Sequence, residues 1–101
     1  MNSKKEYKIK TNVWLYPGMA GWHFVNLPKK ESREIGATFG KVSRGFGSLP
    51  VTVTIGKTSW KTSIFPDKKS ETYLLPLKAA IRKKERFGNG DHIAFLIKVA
   101  V

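Results

Sequence analysis

The sequence predicts a mainly β domain: a small closed or nearly closed β-barrel of about six strands, with two short helices and an internal pseudo-two-fold. Three observations lead there. Apolar and polar residues alternate with a period of two through much of the chain, the pattern of strands with one buried face. A phrase also occurs twice, an apolar run, then Leu-Pro, then a basic segment of helical character: HFVNLPKKESREIG around Leu27 and Pro28, and TYLLPLKAAIRKKERFG around Leu75 and Pro76. Proline has no N–H to donate and a φ suited to the first helical turn, so each copy reads as a strand running straight into a helix. Finally, two short helices cannot cover both faces of an open sheet, whereas closure hides its edges. At 101 residues and 41% hydrophobic content, residues 1–101 are expected to form a single domain with a core of its own.

The elements follow in order. Residues 5–16 place Tyr7, Ile9, Val13 and Leu15 on one face and Lys8, Lys10 and Asn12 on the other, a half-buried strand. Pro17, Gly18 and Gly21 turn the chain into a second strand over Trp22 to Leu27, and the first Leu-Pro opens a helix over Pro28 to Ile35. Gly36, Gly40, Gly45 and Gly47 mark a loop. Val51, Val53 and Ile55 then alternate with threonines, Gly56-Lys57 makes a two-residue turn, and Thr58 to Phe65 returns. That turn pairs Ile55 with Thr58, Val53 with Trp60 and Val51 with Thr62, so Trp60 lies on the valine face. Thr52, Thr54, Ser59, Lys61 and Ser63 form the outer face. A turn at Pro66 to Lys69 precedes a brief strand over Thr72 to Leu75 and the second helix, where Leu77, Ala80, Ile81 and Phe87 share one side and Lys78, Arg82, Lys83 and Arg86 the other. The Gly88 to Asp91 cluster ends that helix. The last strand buries Ile93, Phe95, Ile97, Val99 and Val101.

Charge is the main functional clue. Nineteen Lys plus Arg against seven Asp plus Glu leave a formal charge of +12, a field that attracts polyanions, nucleic acid among them. Only four of the nineteen are arginine, the residue that specific base and phosphate readout favours. The expected contact is therefore electrostatic, made mainly through phosphates. The candidate nucleic-acid-binding residues are Lys78, Arg82, Lys83 and Arg86 on the second helix, with Arg44 and the hairpin lysines Lys57 and Lys61. The alternative use of the same helix is a solvated face opposite a buried one. Trp14, Tyr16 and Trp22 read either as stacking platforms or, as is usual in small barrels, as core.

Other function classes have less support. No cysteine is present, which excludes disulfides and thiolate metal sites. His23 and His92 lack acidic partners suited to metal binding, and Asp91 reads as a turn cap. No serine occupies a Gly-x-Ser-x-Gly elbow, and seven scattered acids give little basis for paired-carboxylate chemistry. Gly56-Lys57-Thr58 lacks the upstream glycine and following helix of a phosphate loop, and Arg44-Gly45-Phe46-Gly47 only begins like an RNA-recognition motif, leaving Phe46 as a turn or core-lid residue. No enzyme, cofactor or metal is expected. Without a membrane-length apolar run or a signal-peptide segment, the chain is expected to be soluble and cytoplasmic, with no membrane contact.

The run RGFGSLPVTVTIGKTSWKTSIFP, then YLLPLKAAIRK, then GNGDHIAFLI, resembles the small bacterial family known as domain of unknown function 1905, in order and spacing from Trp22 to Ile97. The resemblance implies a double-split β-barrel related to the AbrB and MazE swapped-hairpin proteins. In those dimers each chain offers one strand, proline, helix, Gly-Asp, strand unit, a plan that Tyr73 to Ile97 with Gly90-Asp91 matches and that the first copy lacks at its exit. It further implies a monomer that holds both halves of such a dimer in one chain. AbrB relatives bind DNA and MazE-like proteins bind protein partners, so the resemblance favours a non-enzymatic binding module. Nucleic acid on a basic surface is the first expectation. A protein or small ligand in a groove between the two repeats is the alternative.

Overall fold

The computed structural model describes residues 6–18, 21–43 and 45–100. Arg44 and Val101 lie outside them. Seven strands and two helices follow one another: β1 (Glu6–Asn12), β2 (Trp14–Leu15), β3 (His23–Asn26), α1 (Lys29–Phe39), β4 (Leu49–Ile55), β5 (Thr58–Asp67), β6 (Thr72–Pro76), α2 (Ala79–Glu85) and β7 (His92–Val99). All pairings are antiparallel, in the order β1-β7-β4-β5-β6-β3-β2, and the sheet curls into a half-barrel. The count is seven rather than six because the predicted first strand breaks at Val13. Val13 turns from β7 toward β3, its N–H donating to the Asp91 carbonyl at 2.9 Å and its carbonyl accepting the Gly90 N–H at 2.8 Å. The two ends of the sheet order are thus one residue apart in the chain. Past the break Leu15 is exposed, not buried as the alternation predicts.

The hairpin forms in the predicted register, Ile55 opposite Thr58, Val53 opposite Trp60 and Val51 opposite Thr62. Gly56 has φ +55°, the first central position of a two-residue turn that demands glycine. β5 runs past the predicted end through Pro66 to Asp67: it pairs with β4 as far as Ile64 and with β6 from Phe65 onward. One strand therefore serves both halves of the curl.

The repeated phrases lie side by side, because β3 pairs with β6. Their centre is Val25 opposite Leu75, and the Leu27 N–H donates to the Tyr73 carbonyl as the Leu77 N–H donates to the His23 carbonyl, both at 2.9 Å. Leu27 is thus answered by Leu77 and Pro28 by Lys78. The predicted match of the two Leu-Pro pairs is off by two residues, a shift that keeps every side chain on its own face. Pro28 precedes α1 directly, whereas Pro76 is still in β6, opposite Phe24, and Lys78 precedes α2.

α1 continues four residues past the predicted Ile35, so Gly36, read from the sequence as part of a loop, lies within the helix, where a Cβ would make only an ordinary contact with the Tyr73 hydroxyl at 3.7 Å. Ser32, buried in α1, donates to the Leu27 carbonyl at 3.2 Å and accepts the Tyr73 N–H at 3.1 Å. α2 sits more lightly. None of its residues is fully buried, Ala80 is exposed where the helical wheel predicts core, and Leu77 is buried in the link before the helix.

The core gathers the inward residues of every long strand, with Ile9, Val25, Leu27, Ile35, Leu49, Ile64, Leu75 and Ile97 fully enclosed. Tyr7 joins them with its hydroxyl buried and without a hydrogen-bond partner among the described residues. Burial first, then the nearby Glu34 carboxylate, raises its pKa above the ordinary tyrosine value. A raised folded-state value makes the contribution complete below pH ~10 and removes it as pH climbs through the folded value. Tyr7→Phe is expected to be neutral or to stabilise by about 1 kcal/mol at pH 7, and to lessen the loss at alkaline pH, as read from thermal melts at pH 7 and in alkali. A drop in stability at pH 7 would show that the hydroxyl is partnered after all.

Candidate functional site

The residues predicted to bind fall into three places. Lys61 lies on the outer face of β5 opposite Thr52, and Thr52 is opposite Lys98 on β7, so two lysines flank one threonine. Lys57 is exposed at the tip of the β4–β5 turn. That turn packs on the end of α2, where Thr58 donates to the Glu85 carboxylate and a Cβ at Gly56 would collide with it. The structure thereby brings Lys57 to the same end of the molecule as Arg86, which closes α2 in left-handed backbone at φ +59°. Lys83 and Arg86 border a shallow depression with Phe87 and Asp91. Lys78 is exposed just ahead of the helix.

Arg82 is partly committed. Its Nε–H donates to the Leu77 carbonyl at 3.2 Å and its Nη2 to the Gly21 carbonyl at 3.3 Å, tying the helix to the loop before β3. Two of its five N–H groups are used, and the other three stay available. Asp91 caps a turn as predicted, its carboxylate accepting the Gly88 N–H at 2.8 Å. Among the described residues no group of three His, Asp or Glu side chains is placed to hold a metal ion.

For the aromatics of the first strands the structure decides against the core, and it adds Phe24, which the sequence did not single out. Trp14, Tyr16, Trp22 and Phe24 do not enter the core. They form a cluster on the outside of β2 and β3, Phe24 at its centre, with centroids 5.3 Å from Trp14, 5.9 Å from Tyr16 and 5.9 Å from Trp22. Tyr16 is 40% and Trp22 49% exposed, large for aromatics in a small domain. Trp14 is fixed: its indole N–H donates to Asn26 Oδ1 at 2.7 Å, and Asn26 Nδ2 donates to Thr72 Oγ1 at 2.9 Å and Ser70 Oγ at 3.2 Å. Ser70 in turn donates to Asp67 at 2.6 Å. That hydroxyl, the largest influence, holds the Asp67 carboxyl below its ordinary value. Alternation carries the signal as far as Trp14, next to the buried Val13, and fails beyond it, where Leu15 and Tyr16 are both exposed.

Of the two expectations for Phe46, the turn holds and the core lid does not. It sits in a turn over Gly45–Gly47 with φ +60° and is 97% exposed, so it covers no core.

Beside the aromatic cluster lies a groove of about 500 Å³, between the approach to β3 and the link from β6 to α2. Trp22, Pro76 and Leu77 supply apolar wall, and His23, Lys78 and Arg82 supply polar groups. His23 Nδ1 lies 2.8 Å from the Gly21 carbonyl. A carbonyl only accepts, so Nδ1 carries the proton and Nε2 is left for another partner.

Among the described residues no helix is long and apolar enough to cross a membrane. No curated protein matches the chain. The family model described as Domain of unknown function (DUF1905) matches residues 10–97, which takes in every strand from the middle of β1 to most of β7, the paired phrases and the aromatic cluster. The chain belongs to that family.

Proposed function

We propose that the domain is a non-enzymatic binding module that holds single-stranded nucleic acid on the outer face of its sheet. One observation carries the reading: Lys8, Lys10 and Asn12 are exposed along β1, and just past the break at Val13 four aromatic rings cluster outside β2 and β3, so lysines and exposed rings follow one another in the chain. Lysine neutralises phosphates without demanding a geometry, and exposed rings stack any base, the combination expected of sequence-tolerant single-strand binding. Lys61 and Lys98 extend the positive face, while Lys57, Lys78, Lys83 and Arg86 form a second basic flank around α2.

On this proposal the chain is a monomer of two related units, β1–β2–β3–α1–β4 and β5–β6–α2–β7, closed through Val13 into a barrel of the swapped-hairpin kind. The pairings support it: β3 meets β6 and β4 meets β7, while β1–β2 and β5 each bridge the neighbours at the same positions of the two units. A small-ligand role is favoured by one separate observation, the groove formed where the two units meet.

The test is titration of the full chain with a fluorescent oligothymidylate at several salt concentrations. Binding should fall with salt at a log–log slope of about −0.7 per phosphate contacted. Trp22→Ala should weaken it by about 1–3 kcal/mol, and Lys8→Gln with Lys10→Gln should flatten the salt slope. No binding at low salt, or binding untouched by both variants, would sink the proposal.

A further inference from the structure

We infer that the groove beside α2 is a pocket for one nucleotide, with its base stacked on Trp22 and its phosphate held by Arg82 and Lys78. The inference rests on the single-strand reading for its choice of ligand, but not for its geometry. The groove's volume of about 500 Å³ falls within the roughly 300–1,000 Å³ usual for small-ligand sites. Its walls combine two chemistries that a nucleotide also combines. Trp22 is half exposed yet not loose, since it stacks on Phe24 at 27° and 5.9 Å. A ring already supported on one side loses little freedom when a second ring joins it. Pro76 and Leu77 continue the apolar surface.

The charged side is equally prepared. Arg82 reaches the groove with its guanidinium held by two carbonyls, Leu77 from the link just ahead of its helix and Gly21 from across the groove. Holding the plane still leaves three N–H groups in a fixed fork, the arrangement that suits a phosphate. The Gly21 carbonyl accepts from both Arg82 and His23. Lys78 adds a second cation, an exposed residue whose backbone carbonyl caps the helix while its side chain makes no hydrogen bond among the described residues, none of which brings an acidic side chain to the groove. A bare phosphate would leave the indole unused, and a nucleoside would leave two cations unanswered. His23 Nε2 can accept from a sugar hydroxyl when the ring is neutral. Because Trp22 belongs both to this groove and to the outer aromatic cluster, the bound nucleotide can be free or the end of a strand lying on the sheet.

The experiment titrates 5′-AMP, adenosine and inorganic phosphate separately into the full chain and follows amide shifts and tryptophan fluorescence. The expected result is 5′-AMP binding at least tenfold tighter than either fragment, weakened at least fivefold by Trp22→Ala and by Lys78→Gln. Arg82→Gln should weaken it further, and since that change also unties the loop, the exposed Lys78 carries the decisive comparison. Lys8→Gln with Lys10→Gln should leave 5′-AMP binding unchanged while weakening oligothymidylate. Displacement of 5′-AMP by a 5′-phosphorylated oligonucleotide, but not by its unphosphorylated counterpart, assigns the pocket to a strand end. Binding of 5′-AMP with no oligonucleotide binding assigns it to a free nucleotide and removes the outer-face reading alone. Oligonucleotide binding with 5′-AMP no tighter than adenosine overturns the pocket and leaves the outer face standing.

Discussion

Leu75→Ala is expected to lower folding stability by about 2–5 kcal/mol, the range for a large-to-small change at an enclosed site. Leu75 has no exposed surface and stands opposite Val25, itself fully enclosed, at the point where the repeated phrases meet. Leu27 and Leu77 lie two residues further along the chain, just past the end of each strand and also buried, so a void at Leu75 opens between two backbones that hydrogen bonds hold on both sides. Those bonds limit how far the walls can collapse. A domain of this size has about 5–15 kcal/mol in total, and each kcal/mol corresponds to roughly 4–8 °C. The melting temperature should therefore fall by about 10 °C or more. Leu15→Ala removes the same atoms from a position that is 44% exposed, and should cost less than about 1 kcal/mol. Urea melts of both variants give the comparison. Equal losses would mean that the β3–β6 seam does not anchor the core.

What the sequence revealed and what it hid divide by distance along the chain. The β4–β5 hairpin was legible to the residue, because a two-residue turn with glycine first fixes the register of everything beside it. The Gly88 to Asp91 cluster was read as the end of the second helix, but α2 already ends at Glu85 with Arg86 in left-handed backbone, and the glycines shape the turn that follows. By contrast, the break at Val13 depends on Gly90 and Asp91, which the chain brings in from its other end. No periodicity in residues 5–16 announces it. The two repeated phrases were visible, but their alignment was set by the Val25–Leu75 pairing and not by the prolines, since proline marks where a helix can begin and does not compel it to begin there. Arg82 looked free on a helical wheel because its second partner, the Gly21 carbonyl, is sixty-one residues away. The outer position of Trp14 is a different matter. Alternation placed it outside, and the general habit of aromatics to seek cores outweighed that signal.

Asn26→Ala is expected to impair both folding and binding, through one side chain that serves two ends of the outer face. Asn26 accepts the Trp14 indole N–H and donates to Thr72 and Ser70, while its backbone carbonyl accepts the Thr11 hydroxyl at 2.9 Å. Truncation leaves the part-buried indole N–H without its acceptor, at about 1–3 kcal/mol. Thr72 and Ser70 retain each other, at 2.6 Å. The Trp14 ring, freed at its polar end, should rotate away from Phe24, and oligothymidylate affinity should fall more than the stability loss alone would produce at temperatures where the variant is fully folded. Asn26→Asp separates the two roles. It keeps an acceptor for Trp14 but loses both donors and sets a second carboxylate near Asp67, whose lowered pKa reflects the Ser70 hydroxyl. A lowered folded-state value contributes stability above the ordinary carboxylate range near pH 4, lost as pH falls through the folded value. The aspartate variant should therefore retain nucleic-acid binding better than the alanine variant and gain relative stability in acid, where its carboxyl is neutral and can donate again. Near-ultraviolet circular dichroism reports the Trp14 orientation and calorimetric melts at pH 7 and pH 4 report the rest. If the alanine variant bound as tightly as the parent, with an unchanged tryptophan signal, the fixed indole would not be part of the binding face.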